Sequence, residues 1–167
     1  MNKNIKRFVL TLLAAALLIT AFAGCNMTPV ATSENLLGTW NAGGFSTWTF
    51  TSVGFSNDGS PAGDGGWDYS GYVLKAVEGS FNNAADSPAG TNCGYLVIRV
   101  TEHSNDSNQL GTCTIIRWQN KTVAGGVTTV EYAEAYPAGW ETVAEAEASA
   151  TTADNFAYGF STMTKLD

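Results

Sequence analysis

Apolar and polar positions follow two regimes along this chain. Residues Phe8 to Ala23 form an apolar run of 16, preceded by Lys3, Lys6 and Arg7. From Leu36 onward apolar residues instead come in short segments with a period of two, separated by Gly, Asn, Asp and Pro clusters. That second pattern predicts strands. Leu36 to Trp40 begins the series. Phe45 to Thr51 follows, with Trp48 and Phe50 on one face and Thr47 and Thr49 on the other. Trp67 to Val77 alternates next. Cys93 to Glu102 is the clearest strand, placing Leu96, Ile98 and Val100 toward a core and Tyr95, Val97, Arg99 and Thr101 outward. Gly111 to Gln119 returns with Ile116 and Trp118 inward, and Val127 to Tyr136 continues.

The intervening stretches Asn57 to Gly66, Glu78 to Asn92, His103 to Leu110 and Asn120 to Gly126 read as loops. Glu141 to Ala150 carries two signals. Its alanines and glutamates favour a helix by propensity. The alternation of Thr142, Ala144, Ala146 and Ala148 with Val143, Glu145 and Glu147 has strand period, and a strand is expected. Asp154 to Thr164, with Phe156, Tyr158 and Phe160, is expected to pack as a short helix or a last strand. The fold class predicted is all-β: an antiparallel meander closing into a small barrel or sandwich of about seven or eight strands.

The first regime changes the picture of where this domain resides. A basic start, an apolar middle and small residues before a cut describe a secretory signal peptide over residues 1–24. The run is shorter than the roughly 20 residues a bilayer-crossing helix needs. It ends Phe22-Ala23-Gly24-Cys25, which resembles the lipobox of bacterial lipoproteins; the family pattern prefers Leu where Phe22 stands. The resemblance implies that the Cys25 sulfur is lipidated and that Cys25 becomes the first residue. Two acyl chains, each worth about 0.8 kcal/mol per buried CH₂, would anchor the protein stably. Residues 25–35 are then expected to be a flexible tether and 36–167 a single β-rich domain. Asn26 is not the aspartate that retains many lipoproteins at the inner membrane, so the resemblance implies the outer one.

Within the domain, Gly38-Thr39-Trp40 resembles the opening of lipocalins, in which the tryptophan closes one end of the barrel. The succession of that motif with Tyr69-Ser70-Gly71-Tyr72-Val73, Gly94 to Thr101 and Tyr132 to Tyr136 is similar to small envelope lipoproteins of uncharacterised function. It implies a fold and carries no catalytic residues over.

Without residues 1–24 the chain keeps 143 residues, enough for one domain with a core. These hold five basic against fifteen acidic residues, a formal net charge of −10. Such a surface repels phosphate, so nucleic acid is excluded as a partner and lipid headgroups are not met by charge. In an oxidising compartment Cys93 and Cys113 are candidate disulfide partners. A hairpin between their strands opposes the bond: with its turn near Asp106-Ser107, Cys113 falls opposite about residue 100, roughly 23 Å from Cys93 at strand rise. A disulfide needs Cα atoms within about 7 Å, and the spacing alone leaves the bond open.

Candidate chemistry is sparse. Asp58, Asp64 and Asp68 offer three carboxylates among glycines, which suits calcium chemically. Their spacing is not that of an EF-hand, and a solvated turn without metal is expected. The single histidine, His103, stands beside Ser104 and Asp106, a trio expected to be turn residues because triad members meet across space. Glu134 shares a face with Val130, Tyr132 and Tyr136; a buried carboxylate there would have a raised pKa, but the exterior is expected for a glutamate. Trp40, Trp48, Trp67, Trp118 and Trp140 either line a ligand cavity or fill the core, and filling is expected. No cofactor is implied. The reading is a non-enzymatic, lipid-anchored envelope protein presenting a β domain that binds a small apolar ligand. The alternative is a structural or surface-interaction protein, adhesin-like, with a filled core.

Overall fold

In a computed structural model the chain is described over residues 28–59, 68–82, 84–88, 92–136, 138–150 and 152–166. The leader, the lipobox with Cys25, Asp64 and Trp67 lie outside the described residues. Eight strands pair in chain order, all antiparallel, and the last closes on the first. They are β1 (Gly38–Ala42), β2 (Ser46–Phe50), β3 (Gly54–Asp58), β4 (Tyr69–Glu78), β5 (Cys93–His103), β6 (Cys113–Ala124), β7 (Val127–Glu134) and β8 (Ser161–Lys165). Closure runs through Trp40 opposite Lys165 and Asn41 opposite Thr164. The result is the all-β meander barrel that the alternation predicts, lipocalin-like in form. Closure removes the exposed strand edges of an open sheet.

Period-two alternation places Trp40, Trp48, Phe50, Leu96, Ile98, Ile116 and Trp118 inside, where they are buried together. Trp40 lies at the end where the chain enters: its indole N–H donates to the Leu36 carbonyl at 2.6 Å, and Lys165 Nζ sits 5.9 Å from its ring centre. This end is plugged by Leu36 and Trp40, both fully buried. The β6–β7 turn also lies here, with Gly125 and Gly126 both at positive φ as a two-residue hairpin of type I′ requires. The opposite end carries the β1–β2 turn, the start of β4 and the end of β7.

Several expectations are corrected. The stretch expected to be a tether, residues 25–35, is pinned to the barrel from Val30 onward. Val30 N–H donates to the Val73 carbonyl and Thr32 N–H to the Ser52 carbonyl, both at 2.8 Å, and Thr32 and Ser33 are buried. Backbone pairing with the β2–β3 turn holds a stretch whose side chains show no period. β3 was not expected; its five residues merge in sequence with the glycine-rich loop behind them, yet Phe55 and Asn57 are buried. In β4 the register slips between Ser70 and Gly71 and again between Val73 and Lys75. Ala76 therefore packs against the inner cluster although Leu74, two residues before it, lies in the outer one. Gly71 is required at the first slip, since a Cβ there would lie 2.0 Å from the Arg99 carbonyl oxygen.

Residues 141–150 are helical, not extended: α1 spans Val143–Ser149. Thr142 caps it by accepting from Glu145 N–H at 3.2 Å, while the Glu145 carboxylate accepts from Thr142 N–H at 3.0 Å. This capping box and the burial of Val143, Ala146 and Ala150, at helical spacing, outweigh the incidental alternation. α1 covers the outer face of β5 and β6. Tyr95 and Val97 thus point out of the barrel, as expected, but into a second core rather than solvent.

That second layer is fastened by Arg117, which has no exposed surface. Its guanidinium pairs with Asp86 at 2.7 Å, donates to the Ala150 carbonyl at the end of α1, and lies 3.9 Å and 4.8 Å from the ring centres of Phe156 and Phe81. Cys93 pairs in register with Gln119 and Cys113 with Arg99. Six steps along one hairpin separate the two cysteines, about 20 Å at strand rise. They are not bonded to each other.

Candidate binding site

At the open end the barrel interior is a cup of about 670 Å³. An eight-stranded barrel is just wide enough to be filled by side chains or to hold one small ligand, and here the two halves differ. Large aromatics pack the closed half. Above them the inward positions become smaller or polar: Ser46 from β2, Asn57 from β3 and Thr114 from β6 line the cup. Phe45, Tyr136 and Tyr158 stand at its rim, with Phe45 74% and Tyr158 78% exposed.

An aromatic chain runs through the barrel interior and reaches the cup at Tyr69. Trp48 meets Tyr132 at 4.3 Å and Phe55 at 5.2 Å between ring centres. Phe55 meets Tyr69 at 5.1 Å, and His103 stacks on Tyr69 from the other side at 5.8 Å. Each ring comes from a different strand, so the chain exists only once the barrel has closed.

Glu134 lines the cup beside Tyr69, and the expectation of an exterior position is overturned. It follows Val130 and Tyr132 on the inward face of β7, and its carboxylate looks into the cup. Tyr69 Oη donates a hydrogen bond to Glu134 Oε1. Burial pushes the Glu134 carboxyl above the usual carboxylate range, with the Tyr69 hydrogen bond pulling the other way. The Tyr69 hydroxyl is raised well above its ordinary value, first by burial and then by the Glu134 charge. Burial and the same charge push Tyr132 up to about 12. Tyr69 also went unread as a site residue. The signal was available: Glu134 is an acid on an otherwise apolar, period-two face.

The other candidates resolve differently. His103, Ser104 and Asp106 build the β5–β6 turn: His103 Nδ1 accepts from the N–H groups of Asn105 and Asp106 at 3.2 and 3.1 Å, and Ser104 Oγ accepts from Asp68 N–H. Asp106 caps a short 3₁₀ turn through Asn108 N–H, and its hydrogen bond from Gln109 leads in holding its carboxyl below the usual range. Asp68 accepts from Gly59 N–H at 2.7 Å, clasping the ends of the β3–β4 connection, while Asp58 is exposed. Among the described residues no three metal-ligating side chains converge. Trp40, Trp48 and Trp118 fill the core, and Trp140 pairs with Cys113 outside the barrel. No helix among the described residues is long and apolar enough to cross a membrane.

Comparison with known proteins adds no relative: no family model matches the chain, and no curated protein or solved structure does either.

Proposed function

We propose that this is a non-enzymatic, lipid-anchored protein of the bacterial envelope whose barrel holds a small, largely apolar molecule in the cup at its open end. The observation that carries the reading is a cavity of about 670 Å³, lined by Tyr69, small and polar residues and rimmed by Phe45, Tyr136 and Tyr158, at one end of a barrel whose other half is filled. A cavity of this size, mostly apolar with a few convergent polar groups, is the usual form of a small-molecule site. The anchor is consistent with it. The chain joins the barrel in its closed half, through Val30 and Thr32. Cys25 is five residues before Val30, so its Cα lies within about 18 Å of the point where the chain joins the barrel. The closed half would face the membrane and the mouth the compartment.

Two measurements test this. Protein extracted from membranes should release a small guest on organic extraction, identified by mass spectrometry. Cys25→Ser should shift the protein from the membrane to the soluble fraction and abolish palmitate labelling. An empty cup in native preparations removes the binding reading, and unchanged membrane attachment removes the anchor. The exposed rim aromatics Phe45, Tyr136 and Tyr158 favour the second reading, a surface-interaction protein in which the rim meets a partner. That reading gains if no guest is extracted.

A further inference from the structure

We propose that the cup recognises an organic ammonium group, held by Glu134 and flanked by the aromatic rings around it. The proposal rests on the cup being a ligand site and names the ligand class. An ionised carboxylate taken out of water is costly unless a counter-charge meets it. Among the described residues no cation pairs with Glu134, whose environment is burial and the Tyr69 hydrogen bond. Of the five basic residues in the barrel domain, Lys75 pairs with Glu147 on the outer layer and Arg117 with Asp86. Arg99 donates to the Gly111 carbonyl. Lys165 lies over Trp40 and Lys121 beside Asn92, both at the closed end. His103 stacks on the Tyr69 ring, and its Nδ1 accepts from backbone N–H groups of its own turn.

Complementary features sit around the acid. Tyr69 occupies Oε1, while the carboxylate still opens onto the cup. The rings of Phe45, Tyr69, Tyr136 and Tyr158 border the same space. Aromatic faces attract a cation, weakly at the exposed rings of the rim and more strongly at the buried Tyr69. A carboxylate ligand would meet Glu134 with like charge, on a chain whose residues 25–167 carry a formal net charge of −10. A neutral apolar ligand would strip water from Glu134 and return nothing. An amine does neither.

The test uses three probes that share one ring system: tryptamine, tryptophol and indoleacetate, which are cationic, neutral and anionic. Each is titrated into the mature protein by calorimetry, with backbone amide shifts followed by NMR. Tryptamine should bind at least tenfold more tightly than tryptophol, and indoleacetate most weakly, with shifts centred on Ser46, Thr114 and Ala135. Glu134→Gln should erase the preference for the amine. Glu78→Gln, which removes the same charge at the closed end, should leave it intact and so exclude a general field effect. Equal affinities for amine and alcohol, or an amine preference that survives Glu134→Gln, overturn the ammonium proposal while leaving the cup as a site. Shifts that map away from the cup overturn both.

Discussion

Arg117→Met is the sharpest test of how the outer layer is held on the barrel. Three contributions are lost. The pair with Asp86 is worth only about 1 kcal/mol, because Asp86 is 37% exposed and water screens it. The Ala150 carbonyl, on a fully buried residue, loses its guanidinium donor, which costs about 1–3 kcal/mol. Stacking between Phe156 and Phe81 contributes about 1–2 kcal/mol in a desolvated setting, part of which a thioether would recover. Against these stands a gain. Burial already lowers the Arg117 pKa, and its Nε has no hydrogen-bond partner, so removing the charge relieves about 1–2 kcal/mol of desolvation. The balance is a destabilisation of about 2 kcal/mol, a Tm loss of about 8 °C for a domain of this size. Urea denaturation followed by tryptophan fluorescence measures it, and Asp86→Ala alone should cost about 1 kcal/mol. A Met variant as stable as the parent, or more so, would mean that desolvation outweighs the carbonyl bond and the stacking. The account of Arg117 as a fastener would then be refuted.

Four further outcomes are expected. Gly94→Ala places a Cβ 2.2 Å from the Val77 carbonyl oxygen and 2.8 Å from the Trp118 indole nitrogen, so backbone must move; a loss of about 3 kcal/mol in urea denaturation is expected. Thr142→Ala removes the capping box of α1 and should cost about 1 kcal/mol by the same assay. Glu134 has a folded-state pKa above its unfolded one, so the folded state binds its proton more tightly; its contribution is most favourable below the unfolded value and is lost as pH rises through the folded value. Melting Glu134→Gln beside the parent should therefore give a Tm difference that grows in favour of Gln with rising pH, and a flat difference would contradict the assignment. Cys93 and Cys113 are both buried and unbridged to each other, so reduction should not change the intact mass, and alkylation of both should require denaturant.

Much of the barrel was legible because its strands read as alternating segments. β5 shows this best: Leu96, Ile98 and Val100 are inside as their parity demands. β3 was hidden because five residues with two apolar positions look like the edge of the loop that follows. In β4 the period of two breaks beyond Val73, where a bulge set by pairing with β5 inserts one residue without leaving a mark in the pattern. α1 had a legible start, Thr142 three residues before Glu145, that the alternation masked. The cup was the least visible. Phe45, Asn57, Tyr69, Thr114 and Glu134 come from five separate elements, and no spacing along the chain relates them.

By itself the order of apolar and polar residues determined the strand class, the antiparallel meander and which residues of a strand share a face, because side-chain direction in a strand depends only on counting by two. Tertiary structure alone decided that the barrel closes, which half is filled, and that Glu134 faces inward beside Tyr69. Parity names two faces but not which of them is inside. That choice falls to closure, which turns one face of every strand toward a common axis and leaves a carboxylate among aromatic rings.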